Sequence, residues 1–300
     1  MKPLTYCFEF NHGNDTLRPY IMNEFAANGA KHLVFSEYFI RKVFENRANA
    51  AVIAREMQNA GLSFMDSHAF YGPYNDLYLP EGSERQKMLL THKLAMDIAA
   101  DFGIKTMAIH VGDRHEVVEG IPFDQLHENI LRSLEELLVT AEKHGIVLAI
   151  ENAYNICNTA EKLVAAAKYF DSPYLGVCYD AGHANLVHPA FKNCNTPSVD
   201  YYWYSHDKVE WDDQMLEKML PYVVCCHLQD NDGIGDKHWL PGRGNIDWAH
   251  IMGLLNKAPR LNSFQCESIP VRESIPICKL CSGFSEFIEK YQEACSDTPV

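Results

Sequence analysis

Acidic and imidazole side chains recur at one kind of place in this sequence, the last residues of short apolar runs. The endings are Asp66-Ser67-His68, Ile109-His110-Val111-Gly112, Ile150-Glu151-Asn152, Tyr179-Asp180-Ala181-Gly182-His183, Cys226-His227-Leu228-Gln229-Asp230 and Cys266-Glu267-Ser268. Asp236-Lys237-His238 follows the fifth of these by a few residues. His, Asp and Glu are the donors that ligate zinc, manganese and iron. Gathered without a cation, the carboxylates would repel one another and their pKa values would climb; a divalent ion relieves that repulsion. Taken singly, His68 or His110 reads as a hydrogen-bonded structural residue, Asp180 as a helix N-cap and Asp236 as a turn residue. Glu151 and Glu267 resist such readings, because each is an acid capping an apolar strand. The joint pattern favours a metal site.

That convergence requires a fold that brings strand ends together. Eight apolar runs are spaced along the chain: Leu4–Phe10, His32–Phe35, Leu62–His68, Lys105–His110, Ile146–Glu151, Leu175–Asp180, Val223–His227 and Phe264–Glu267. Helical patterns lie between them. Ile121–His144 opens at Pro122 and closes before Gly145, Thr159–Phe170 begins at an N-cap threonine, and Ile246–Lys257 is amphipathic. Strands alternating with helices imply parallel βαβ units, and eight units imply an α/β fold closed into a single (β/α)8 TIM barrel over residues 1–300. The carboxyl ends of all the strands then face one mouth. No Pro/Ser-rich linker divides the chain. One connection, 184–212, is too long and too aromatic for the pattern (Tyr201, Tyr202, Trp203, Tyr204, His206), and reads as a lid or a subunit contact.

Composition narrows the partners. The 300 residues are 47% hydrophobic and 22% charged, with 26 basic against 40 acidic residues and a net charge of −14. An acidic surface repels nucleic acid and anionic membrane. No apolar run approaches a membrane span, and the N-terminus lacks the apolar stretch and cleavage site of a signal peptide, so a cytoplasmic protein without membrane contact is expected. Of ten cysteines, Cys7, Cys178, Cys225, Cys226 and Cys266 fall in apolar runs. Only Cys278 and Cys281 form a C-x-x-C, which without a second pair reads as helix packing rather than a zinc knuckle.

Three strings carry a resemblance: Ala149-Ile-Glu-Asn; Cys178-Tyr-Asp-Ala-Gly-His-Ala-Asn; and His227-Leu-Gln-Asp-Asn-Asp-Gly followed by Asp236-Lys-His-Trp-Leu-Pro-Gly-Arg-Gly-Asn-Ile-Asp-Trp. The sequence resembles the xylose-isomerase-like TIM-barrel family over nearly its whole length. That family holds sugar and sugar-phosphate isomerases and epimerases, and apurinic endonucleases related to endonuclease IV. The resemblance implies one divalent ion, zinc or manganese, on Glu151, Asp180, His227 and Glu267. It also marks His68, His110, His183, Asp236 and His238 as a second metal or substrate-binding set, which completes the nine ligand types of the endonucleases. The arginine that the epimerases carry soon after the seventh-strand histidine is absent; Gly233 stands near that place, and Arg243 is the nearest basic residue.

Two reactions compete. In aldose–ketose isomerisation or ketose epimerisation, a proton leaves a carbon beside a carbonyl, and Glu151 and Glu267 serve as base and acid. His183, Trp239 and Arg243 would then contact substrate, with Tyr71 and Tyr74 as apolar walls. A keto-sugar or inosose dehydratase would use the same enolate chemistry. In phosphodiester hydrolysis on damaged DNA, cationic loops would have to hold phosphates, and only Arg41, Lys42, Arg47, Lys237 and Arg243 are on offer. Charge favours a small-molecule sugar or sugar phosphate over nucleic acid, and a homo-oligomer is expected. Gly233, Gly235 and Pro241–Gly244 could form a backbone nest for a substrate phosphate, or a turn that merely positions Asp236 and His238.

Overall fold

A computed structural model describes residues 2–112 and 118–296. Eight parallel strands close into a barrel in sequential order, β1 to β8: Leu4–Tyr6, His32–Phe35, Ser63–His68, Thr106–Ile109, Val147–Glu151, Leu175–Asp180, Val223–Leu228 and Phe264–Cys266. The ring is sealed by β1 pairing with β8, Tyr6 opposite Cys266. The expected single (β/α)8 barrel is the fold observed.

The longer helices are α1 (Arg18–Ala27), α2 (Glu37–Glu45), α3 (Asn49–Ala60), α4 (Ser83–Asp101), α5 (Phe123–His144) and α6 (Ala160–Phe170). Short α7 (Ala181–Leu186), α8 (Pro197–Tyr202) and α9 (Met215–Met219) lead to α10 (Trp248–Leu255), α11 (Pro270–Glu273) and the terminal α12 (Ile277–Ser296). Boundary signals act as their chemistry requires. The Thr159 side chain accepts from Lys162 N, and Gly145 closes α5 at φ 63°, a conformation costly to residues with a Cβ. No helix among the described residues is long and apolar enough to cross a membrane, and the described cysteines are free thiols.

One departure from the sequence reading, and the build of the long connection, bear on the site. The first run was expected to continue to Phe10, but β1 stops at Tyr6. Phe10–His12 then form a 3-10 turn, so Phe8, Glu9 and Phe10 line the mouth instead of the sheet. The long connection holds α8 and two 3-10 turns. It is anchored by the buried Trp203 and Val199, and Tyr202 reaches the cavity wall.

Side chains alternate along a strand, so every second residue enters the barrel. Ala108, Ala149, Cys178 and Cys225 pack together as a small cluster. One pleat further along the same four strands, at the carboxyl end, stand His110, Glu151, Asp180 and His227. Below His68 and Glu267, at the same two-residue spacing, lie the buried Asp66 and Gln265. Small residues in the lower layer leave room for the larger polar layer above, and the strand register brings Asp180 beside His227.

Candidate metal centre

Glu151, Asp180, His227 and Glu267 each present one donor atom, and all four atoms lie within 4.8 Å of one another. His227 Nδ1 is the hub, 3.3 Å from Glu151 Oε1, 3.2 Å from Glu267 Oε2 and 3.7 Å from Asp180 Oδ2. The Glu151, Asp180 and His227 side chains are at most 1% exposed, and Glu267 is 12% exposed. Yet Glu151 Oε2, Asp180 Oδ2 and His227 Nδ1 have no hydrogen-bond partner. Buried polar atoms are otherwise almost always satisfied, so this group of orphans is aimed at something the polypeptide does not supply. Three carboxylates and one imidazole converging at this spacing fit a divalent ion such as zinc or manganese.

Electrostatics supports that fit. Burial raises the Asp180 pKa to about 7, and the neighbouring Glu267 and Glu151 push the same way. Burial also opposes ionisation of Glu151, but the His227 and His110 rings hold it well below the usual carboxylate range. Burial opposes charge on His227 as well, yet Cys178, Glu151 and Glu267 drive its pKa well above 6.5. In the metal-free protein a proton on His227 therefore does part of what a cation would do.

The remaining sequence-selected residues form a second tier. His68 Nε2 and His110 Nε2 each stand 3.5 Å from Glu151 Oε2. His183 Nδ1 is 3.2 Å from Glu151 Oε1. His183, Asp236 and His238 make a separate trio of donors within 4.8 Å of one another. Here His238 Nε2 lies 3.2 Å from Asp236 Oδ2, and His238 Nδ1 donates to the Glu267 carbonyl at 3.0 Å. Burial opposes charge on His238, but Asp236 raises its pKa to about 9. His238 holds φ at 53°, a strained region for a residue with a Cβ, which is the kind of local cost that functional sites retain. All nine residues thus join one network.

Supporting residues explain the sequence around them. Asn152 clamps Asp180, donating from Nδ2 to its carbonyl and accepting its N–H. Asp180 Oδ1 accepts from His183 N at 2.6 Å, so the aspartate is also the helix cap that the sequence allowed. Gln229, fully buried, donates from Nε2 to both Asp180 Oδ1 (3.3 Å) and Asp236 Oδ1 (3.1 Å), linking the two donor groups. Gln229 was not singled out from the sequence, because an amide after a histidine has no distinctive spacing. Asp230 ties the following turn through Gly242 N, Asn231 N and the Trp248 indole.

Seven of the nine residues, His68, His110, Glu151, His183, Asp236, His238 and Glu267, line a cavity of about 320 Å3, and Asp180 and His227 are not among its lining. Tyr71, half-exposed, stands with its ring 5.5 Å from His68 and 5.3 Å from His110. Tyr154 lies 5.2 Å from both His183 and Tyr202. Trp239 and Arg243 are not among the cavity-lining residues: Trp239 bridges to Asp230, and Arg243 is paired with Glu273 at 2.6 Å. Tyr74 also lies outside the lining.

Comparison with known proteins places the chain in a family. Residues 26–275 match the family described as xylose isomerase-like TIM barrel. Sequence relatives include MJ1311 of Methanocaldococcus jannaschii, 23% identical over 73% of this chain and 70% of its own length. Another is y4fM of Sinorhizobium fredii, 25% identical over 66% of this chain, which spans 63% of that protein. Similar solved structures include a D-tagatose 3-epimerase-like protein (TM-score 0.71, 18% identity, 98% of this chain and 100% of that one). A D-psicose 3-epimerase determined in the presence of D-fructose follows (0.70, 14%, 98% and 99%). So does the IOLI protein with a zinc atom (0.69, 14%, 97% and 99%). At these identities the structures attest to the shared fold, and the match over most of the chain decides the family. The chain belongs to the xylose isomerase-like TIM barrel family.

Proposed function

We propose that this protein is a metal-dependent sugar isomerase or epimerase that moves a proton between Glu151 and Glu267. The observation that carries the proposal is the placement of these two glutamates at the cavity floor, on the same imidazole nitrogen at 3.3 and 3.2 Å. Similar structures include enzymes titled as sugar 3-epimerases, which agrees with the reading.

Glu151, Asp180, His227 and Glu267 would hold the ion, zinc or manganese. Once bound, it would polarise the substrate oxygens and take up the negative charge of an enediolate. Glu151 and Glu267 act as base and acid at the carbon beside the carbonyl, one on each side of the substrate. His183, touching both Glu151 and Asp236, hydrogen-bonds a substrate oxygen. His68 and His110 hold Glu151 in place. His183, Asp236 and His238 are assigned to a second ion or to further substrate oxygens. Loss of a hydroxyl from the same enolate would make the enzyme a dehydratase, and the product decides between these outcomes.

Hydrolysis of DNA is the weaker reading. Four of the five cations that could hold phosphates, Arg41 and Lys42 of them on α2 rather than on a loop, are engaged by carboxylates: Arg41 by Glu37, Lys42 by Asp15, Arg47 by Asp101 and Arg243 by Glu273. Too few phosphates can be neutralised for tight binding at physiological salt. We extend the proposal to a cytoplasmic homo-oligomer in which 184–212, with the half-exposed Tyr201 beside Tyr202, covers the mouth or meets a second copy.

Elemental analysis of protein purified without chelator tests the proposal. One or more equivalents of a divalent metal are expected, retained through dialysis, and lost in an Asp180→Ala, His227→Ala double mutant. A double mutant with full metal content, or a wild type that takes up none, would remove the basis for the reaction.

A further inference from the structure

We propose that Cys178, Cys225 and His227 form a second metal site, for a soft ion such as zinc or cadmium, buried beneath the carboxylate centre and sharing its histidine. The inference goes beyond the isomerase reading and does not depend on it.

Strand register places the two thiols. Cys178 on β6 and Cys225 on β7 stand opposite each other in the parallel ladder. Each precedes an upper donor on its own strand by two residues, Asp180 and His227, so these side chains share the barrel-facing side. Both thiols are free and at most 1% exposed. One donor atom from each of Cys178, Cys225 and His227 lies within 4.8 Å of the others. A tetrahedral ion with bonds of about 2.3 Å to sulfur and about 2.0 Å to nitrogen holds such donors roughly 3.5–3.8 Å apart, so small side-chain shifts close the set. Among the described residues this is the one group of metal-spaced donors that contains cysteine. Ala108 and Ala149 pack in the same cluster and bring no competing ligand.

The imidazole supplies the link. Its Nδ1 faces Glu151, Glu267 and Asp180. The ring's other nitrogen, Nε2, also has no hydrogen-bond partner, although His227 is fully buried. Buried polar atoms are almost always satisfied, and a sulfur-held ion would satisfy this one. Charge and softness decide which ion. Two sulfurs and one nitrogen are a soft set that prefers zinc, cadmium or copper(I) to manganese or magnesium. On binding, each thiol releases its proton to solvent as a metal–sulfur bond forms. The two thiolates then neutralise a divalent ion, as a fully buried site requires. An ion on the sulfurs draws electron density from the imidazole that the upper ion also uses, so filling the lower site weakens the upper one.

Titration of the metal-free protein with cadmium(II), followed by thiolate-to-metal charge-transfer absorption in the ultraviolet, tests the site. The band should develop with release of about two protons per bound ion into a weak buffer. Losing even an indirect hydrogen-bond partner of a ligand costs about 10–100-fold in metal affinity, so losing a sulfur in Cys178→Ala or Cys225→Ala should cost at least about 100-fold. The double variant should show no band; Cys178→Ser with Cys225→Ser, closer in volume, serves if the alanines do not fold. Asp180→Asn should keep the band. Cadmium should also displace manganese from the loaded wild type at least about tenfold more readily than from the sulfur-free variant. No band at saturating cadmium, a band that survives removal of both sulfurs, or one lost in Asp180→Asn would overturn the site. Equal displacement of manganese from both proteins would overturn the shared histidine. Each reading is made without substrate, so a failure of the isomerase reading leaves these outcomes untouched.

Discussion

Gly182 lies inside α7, where alanine would ordinarily stabilise by about 0.5–1 kcal/mol. Here the sign should invert. A Cβ at this position would sit 2.2–2.4 Å from the Gln229 amide carbon, oxygen and nitrogen. A glutamine tip moves easily on the surface, but this one is fully buried and its Nε2 donates to Asp180 and Asp236. Displacing it breaks two hydrogen bonds to carboxylates, worth about 1.5 kcal/mol each at these rather long distances. Less the helical gain, Gly182→Ala should destabilise by about 2 kcal/mol, lowering the Tm by about 4 °C at this chain length. Because both carboxylates belong to donor groups, metal affinity should fall too. Thermal unfolding and metal titration of Gly182→Ala, Gln229→Ala and the double mutant form a cycle. If the cost arises through Gln229, the double mutant should be no less stable than Gln229→Ala alone. Additive losses, or a Gly182→Ala protein as stable and as metal-avid as wild type, would refute the reasoning.

Glu151→Gln and Glu267→Gln keep shape and a ligating oxygen but cannot take a proton at neutral pH, so each should lower kcat about 10²–10⁴-fold with little change in the circular dichroism of the fold; near-normal kcat in either would remove that glutamate from the proton path. His92 supplies a pH test outside the site: it is buried, donates from Nε2 to the Asn75 carbonyl at 2.7 Å, and burial lowers its pKa to about 4. The unfolded chain takes up this proton first, near pH 6.5, so stability is fully present above 6.5 and about 3 kcal/mol is lost as pH falls through 4. In urea unfolding at pH 7 and pH 4, His92→Gln should flatten that part of the curve; an unchanged pH dependence would show that His92 does not titrate as described.

The sequence disclosed most where one residue type obeys one rule. Short apolar runs put His110, Glu151, Asp180 and His227 at strand ends, and barrel closure brings them together because all parallel strands end on the same side. The N-cap at Thr159 and the stop at Gly145 were legible for similar local reasons. Less was legible where function depends on a partner distant in the chain. The early end of β1 was hidden because Phe8 and Phe10 continue an apolar pattern while facing a cavity rather than a sheet neighbour. Gln229 matters only through Asp180 and Asp236. Arg243 looked available for substrate until Glu273, thirty residues on, was seen to hold it. The glycines after β7 have the composition of a phosphate nest, and only their hydrogen bonds, Gly233 N to Asn231 Oδ1, Gly235 N to Asp232 Oδ1 and Gly242 N to Asp230 Oδ2, show these donors already spent.

The central claim, proton transfer at a carbon beside a carbonyl, is tested most directly by incubating ketoses with metal-loaded wild-type protein in deuterated water and following the carbon-bound hydrogens by NMR. The account predicts metal-dependent deuterium incorporation at the carbon next to the carbonyl, abolished by chelation and absent from the Glu151→Gln, Glu267→Gln double mutant. Product formed with no solvent deuterium and no internal proton transfer would contradict it, and would mark the site as a hydride-shift or hydrolytic centre instead.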